Sequence, residues 1–184
     1  MGSNAICFSH TVLRYKEALM PATHSVTLHF RSLSLTNVPF QTHFRNAQRV
    51  YEQYGIQVNY GSGISLRLTD EQRQRYEQVD GECRWRIDSG EYAEIQSLGG
   101  PVPSTEIIVC YVNRFSGTQL GCGGHRPGSP ACIVASSGSQ WTTAHEVGHV
   151  LLGSNFSPVH MSSTRNLMYR STPGITAALP ELTD

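Results

Sequence analysis

One segment restricts the possible folds of this chain more than any other: His145-Glu146-Val147-Gly148-His149, set among Ala144, Val150, Leu151 and Leu152. The pattern predicts a helix over 140–152, capped by Ser139 at its start and closed by Gly153. Residues four apart on a helix lie on one face, one turn above the other, so both imidazoles can reach a single point. The apolar flanks put that point at or near a core, where a lone imidazole is costly to bury. A metal ion resolves the conflict. Zinc accepts imidazole nitrogen and tolerates an open coordination position. Glu146 is rotated off the ligand face, where it is expected to serve as general base toward water rather than as a ligand. The competing reading, two surface histidines on a helix, is opposed by the same apolar flanks.

The remaining chain reads as ordinary folded protein. Its 184 residues suit one domain, 1–184, with one substantial core. Fourteen basic and fourteen acidic residues cancel, which argues against nucleic acid or an anionic membrane as partner, since both need clustered positive charge. No apolar run approaches the roughly 18 residues that a membrane span requires. Residues 1–22 read as a loosely ordered N-terminal segment, and MGSNAICFSH lacks the pattern of a secretory leader. Five cysteines leave at least one thiol unpaired. Cys122 and Cys132, flanking a Gly/Pro-rich loop, are the expected disulfide, with Cys110 a buried thiol in an apolar strand. A secreted protein or a delivered effector fits this cysteine usage, and a monomer is expected.

Strand and helix signals alternate, which predicts an α+β domain around one mixed sheet. His24 to Leu35 alternates apolar and polar residues, with a slip near Arg31-Ser32. Pro39 opens a helix through about Tyr54, ended by Gly55 in a left-handed cap. Ile56–Tyr60 and Ile64–Leu68 read as a strand interrupted by Gly61-Ser62-Gly63. Short helices are expected over Glu71–Gln78, capped by Thr69 or Asp70, and over Glu91–Leu98. Thr105–Val112 is the clearest buried strand, and Cys132–Ala135 is a shorter one before the His-Glu-x-x-His helix.

Downstream of Gly153 the chain can reverse, and His160 lies on the returning segment, followed by Asn166-Leu167-Met168-Tyr169. From Thr142 to Tyr169 the sequence resembles the metzincin clan of zinc peptidases, which pair such a helix with a Gly turn, a third His ligand and a Met-containing turn. The spacing from His160 to Met168 is similar to that of matrix-metalloprotease-like members. The resemblance implies a zinc-dependent endopeptidase acting on peptide or protein substrates, with His145, His149 and His160 as zinc ligands, Glu146 as general base and Met168 as a structural floor. It implies a zincin-like twisted sheet, with Ile133-Val134-Ala135 as the edge strand that pairs with substrate. It also implies a closing C-terminal helix, of which Leu182-Thr183-Asp184 would be the N-cap. The chain departs from the clan pattern in one respect. The usual places of the glycine and third histidine hold Leu152 and Asn155, so the helix is one residue longer and the following loop about four longer. Asn155 is in register but is a weak donor to zinc.

Two other readings stay open at this level: a zinc-stabilised binding or toxin module without peptidase activity, and a non-metzincin peptidase with an acidic third ligand such as Glu181. His24, His29 and His43 lack acidic neighbours at ligand spacing, and His125 sits in an exposed Gly/Pro loop. The serines 136–139 lack a nucleophile-elbow pattern. Cys7 could block a zinc ion as a thiolate.

Overall fold

The structure is a computed structural model that describes residues 22–182. The N-terminal segment up to residue 21, Cys7 and residues 183–184 of the expected helix start lie outside the described residues. Five strands form one sheet: β1 (His24–Ser32), β2 (Ile56–Ser65), β3 (Ile107–Val112), β4 (Gly121–Cys122) and β5 (Ala131–Ala135), in the order β2-β1-β3-β5-β4. The first three neighbour pairs are parallel, and β4 alone runs antiparallel, against β5. Helices α1 (Phe40–Glu52), α2 (Asp70–Arg75), α3 (Gly90–Leu98) and α4 (Thr142–Leu152) connect or cover them.

The sheet is buried on both faces at its centre, so β3 (IIVCYV) and β5 (ACIVA) are apolar throughout rather than alternating. Leu28, Val109 and Val134 face a core shared with α1 and α4, including Val50, Tyr51, Val147 and Leu167. Cys110, Val112 and Ile133 face the other way, toward α3 and its Tyr92 and Ile95. The Tyr51 hydroxyl donates to the Ala144 carbonyl at 2.7 Å, tying α1 to α4 and setting the depth of the helix that carries the histidines.

Local signals behaved as physics dictates, with instructive departures. The β1 pattern stops at Ser32, at the anticipated slip, and Leu35 is 87% exposed. Gly55 has φ 69°, as a left-handed helix end requires. Thr69 caps α2 in a capping box with Gln72, but that helix stops at Arg75 instead of reaching Gln78. The expected break in β2 is a bulge inside one continuous strand. Pairing steps from Leu28–Tyr60 to His29–Ser62, and Gly61 is skipped because the His29 ring occupies the place of a side chain there. α4 begins at Thr142 with Trp141 as its N-cap, and Ser139 does not cap it. Instead the Ser139 hydroxyl accepts from the Trp141 N–H at 3.3 Å, in the turn that leads into the helix.

Two expectations are overturned. Ile133-Val134-Ala135 is not an edge strand: β5 lies between β3 and β4, and β4 is the edge. The two residues of β4 carry too little pattern to announce a strand from sequence. Nor does Cys122 pair with Cys132. The disulfide joins Cys83 to Cys122, while Cys132 and Cys110 are buried free thiols. Cys132 sits inside β5 in the α1/α4 core, on a different surface from the partner that Cys122 finds.

His43 on α1 is fully buried, and neither of its ring nitrogens has a hydrogen-bond partner among the described residues. Burial lowers its pKa from 6.5 to about 4. Between those values the unfolded chain takes up a proton that the folded chain refuses, so stability is complete above pH 6.5 and falls as pH drops toward 4. The shift corresponds to about 3 kcal/mol at most. His43→Leu is expected to remove this acid-side loss. Urea unfolding of both proteins between pH 4 and 7 isolates His43 from the other buried histidines, and parallel curves would refute its role.

Candidate metal centre

The histidines converge because the segment that returns after α4 brings His160 to the face that carries His145 and His149. His145 and His149 are 3% and 8% exposed, and Glu146 is 5% exposed. Gly153 ends the helix with φ 68°, and its N–H donates to the His149 carbonyl at 3.0 Å. The chain then loops out and returns with His160, which is anchored by Met161 donating its N–H to the Met168 carbonyl at 2.9 Å. One ring nitrogen from each of His145, His149 and His160 lies within 4.8 Å of the others. The His160 ring stands 5.4 Å from His145 and 5.0 Å from His149, parallel to the first and perpendicular to the second.

The turn after His160 positions the floor. Asn166 accepts the Met168 N–H on its side-chain oxygen at 2.7 Å, shaping the turn. His145 Nδ1–H donates to the Leu167 carbonyl at 2.7 Å, which leaves Nε2 as the free nitrogen. Met168, 2% exposed, packs under α4 against Gly148. A side chain at position 148 would meet the Met168 sulfur at 2.7 Å and the Tyr51 hydroxyl at 3.2 Å, so only glycine lets the floor rise this close.

The donor set fits zinc. His145 Nε2 and His149 Nε2 lie 3.0 Å apart, and with the proton of His145 committed to Leu167 these nitrogens need a proton or a cation between them. Burial lowers the pKa of His145 to about 4 and of His149 to about 3, and lowers that of His160, where the charge of Arg170 adds to the effect. All three are therefore neutral at pH 7, which is the form that ligates a metal. Three imidazoles with an open side are a donor set suited to a catalytic zinc.

Glu146 lines the cleft outside this donor cluster, with its carboxylate against Gly121. Burial raises its pKa to about 8, and a hydrogen bond from the Gly123 N–H partly offsets that. Edge strand β4 forms the facing wall. A side chain at Gly121 would collide with the Glu146 carboxylate, and one at Gly123 with His149, so both glycines are required by close approach. On the rim, Trp85 sets its ring edge-to-face with His149 at 5.8 Å, in the segment that the Cys83–Cys122 disulfide fastens to β4. The open cleft has a volume of about 750 Å³, and its lining also includes Arg170 and Thr172.

Of the sequence candidates, His145, Glu146, His149 and His160 meet here with Met168 beneath them. Asn155 is exposed and does not line the cleft. Glu181 stands apart from the cluster, pairing with Arg165 at 3.5 Å. His29 bonds Ser62 and Glu106 on the opposite face of the sheet. Sequence reasoning missed Trp85, Gly121, Gly123 and Arg170, whose distance along the chain from α4 hides them. The one available signal was the Gly-Cys-Gly-Gly run at 121–124.

No family model matches the sequence, and no curated protein is significantly similar to it. Solved structures do resemble its fold. Metalloproteinase-II from Bacteroides fragilis superposes with a TM-score of 0.58 at 14% identity, covering 91% of this chain and 52% of that protein. The chain thus spans about half the length of that protein. Archaemetzincins from Methanopyrus kandleri and Archaeoglobus fulgidus align over 85% of this chain with TM-scores of 0.45 and 0.42, at 14% and 13% identity, which is too distant to argue from. The chain has the α+β fold of a solved metalloproteinase, with its histidine cluster on the face of α4.

Proposed function

We propose that the chain is a zinc-dependent endopeptidase of metzincin type, with His145, His149 and His160 holding the metal. The observation that carries this reading is the convergence of three neutral imidazoles beside a buried carboxylate in an open cleft. Zinc, when bound, supplies Lewis acidity toward water and toward the scissile carbonyl. With its pKa raised to about 8, the Glu146 carboxyl carries a proton at neutral pH in the metal-free chain. Beside the charge of a bound zinc it returns to the carboxylate, which then takes the proton of the attacking water and hands it to the leaving amine. The close approach of Gly121 limits where that carboxylate can turn. Leu167, through its carbonyl, holds His145 in the tautomer that presents Nε2. β4, with a neighbour on one side only among the described residues, offers its outer edge to an extended peptide. The Cys83–Cys122 disulfide supports a secreted or delivered protein working in an oxidising compartment.

The zinc-loaded protein should cleave internal bonds in a mixed peptide library, read by mass spectrometry, and a chelator should abolish cleavage. Stoichiometric zinc with no cleavage would overturn the peptidase reading. His160→Ala should weaken zinc binding by more than about 100-fold, the upper end of what loss of a merely supporting partner costs. Glu181→Ala should leave zinc affinity unchanged. Competition with a chromophoric chelator measures both, and the reverse order would reassign the third ligand.

A further inference from the structure

The cleft is unbalanced in charge in a way that catalysis does not use. Among the described residues, two arginines line it, Arg84 and Arg170, and Glu146 is the one acidic residue in its lining. Arg84 is already engaged, with Nε and Nη2 both donating to the Glu82 carboxylate. Arg170 is different. It is exposed, two residues beyond Met168, and among the described residues no hydrogen bond or ion pair engages its guanidinium. Its neighbours in the wall, Ser171, Thr172 and Pro173, bring no carboxylate. Thr172 is itself spent, its hydroxyl bonded to Thr142 at 2.6 Å. The 3-10 turn Thr172–Gly174 and the Met161–Tyr169 bridge brace the backbone on either side of Arg170. A guanidinium on a braced wall, facing a cleft and lacking an internal partner, is a ready carboxylate receptor, because its planar fork matches the two oxygens.

We infer that Arg170 is a specificity-determining residue that binds a carboxylate of the peptide substrate in this cleft. The inference rests on the peptide-cleft reading above and names its substrate class: peptides that carry an acidic side chain near the scissile bond, or a free C-terminal carboxylate within reach of Arg170. Both sources present the same group, and one experiment separates them.

Binding is measured on the zinc-loaded Glu146→Gln protein, so that peptides remain intact. Fluorescence anisotropy compares end-blocked peptides with Glu or Gln at each position in turn, and one sequence with a free or an amidated C-terminus. The expected result is about tenfold tighter binding of the carboxylate-bearing member of one pair, the range for a hydrogen bond to a charged group. Arg170→Gln should erase that preference, Arg170→Lys should keep part of it, and Arg170→Glu should shift preference to peptides with Lys at the same position. Preference within the Glu/Gln pairs assigns an internal acidic residue, and preference for the free terminus assigns the C-terminal carboxylate. Equal binding of all pairs, no binding of any peptide, or a preference that survives Arg170→Gln would overturn the inference. An Arg170-dependent preference in a protein that, with Glu146 intact, cleaves nothing would leave the inference standing and remove the peptidase reading alone.

Discussion

Glu146→Gln is expected to retain full zinc stoichiometry and to lose about 10³-fold in peptide turnover, within the range that positioned acid–base groups contribute. The argument is one of shape against proton chemistry. The Glu146 side chain fits a slot bounded by Gly121, where no further atom can be added, and the nearby Gly123 N–H favours its ionised form. Gln has the same outline and keeps an oxygen for that N–H, so helix α4 and its wall need not move. What disappears is the capacity to hold a proton at that position. The histidines are untouched, since Glu146 is not one of the three clustered donors. Metal content by elemental analysis and turnover on a cleaved library peptide are read on the same preparation. Turnover within about threefold of the parent protein would remove Glu146 from the chemistry. Loss of zinc along with activity would point to a structural part instead.

Removing the Cys83–Cys122 disulfide should be the largest single blow to stability, about 4 kcal/mol for a bridge across 39 residues. The double variant Cys83→Ala/Cys122→Ala avoids leaving a buried hydroxyl at the fully buried position 122. Its consequences should not stop at stability. Cys122 lies between Gly121 and Gly123, which press on Glu146 and His149, and Cys83 carries the segment that sets Trp85 against His149. Without the bridge the rim of the cleft is held to the segment after β4 by His125 donating its N–H to the Trp85 carbonyl, Ile87 donating its N–H to the His125 carbonyl and the Arg126 side chain donating to the Asp88 carbonyl. We expect KM to rise more than kcat falls, since the histidines and Glu146 sit on α4 and the loosened part is the wall. Guanidinium unfolding with and without dithiothreitol checks the first part. The reductant should destabilise the parent protein as much as the double substitution does and leave the variant unchanged. A loss below about 1 kcal/mol would mean that the loop is restrained in the unfolded chain by other means.

Much of the site was readable because it is written in one local period. The positions of His145, Glu146 and His149 follow from 3.6 residues per turn, and the apolar residues around them state which way the helix faces. Gly55 and Gly153 were readable for the same reason, as each ends a helix where φ turns positive. His160 was linked to Met168 by spacing alone, and the loop between Gly153 and His160 gave no local reason to expect its ring beside His145. That proximity comes from the backbone bond between Met161 and Met168 and from the turn that Asn166 shapes.

Pairings between distant segments were not readable. Cys122 had a near candidate in Cys132 and a far one in Cys83, and sequence distance favours the near one through loop entropy. The sheet decided otherwise, because β5 buries Cys132 in the α1/α4 core while Cys122 lies on the α3 side. The edge strand was misassigned for a related reason. An apolar run such as Ile133-Val134-Ala135 says that a strand is buried, whereas its neighbours are set by the return of a two-residue strand with almost no pattern of its own. Helical periodicity, caps and buried strands are properties of neighbouring residues, so the order of residues suffices to specify them. The facing wall of glycines, the Trp85 rim and the free guanidinium of Arg170 depend on which surfaces the sheet brings within a few ångströms of α4, and that choice is made by the packing of the whole chain.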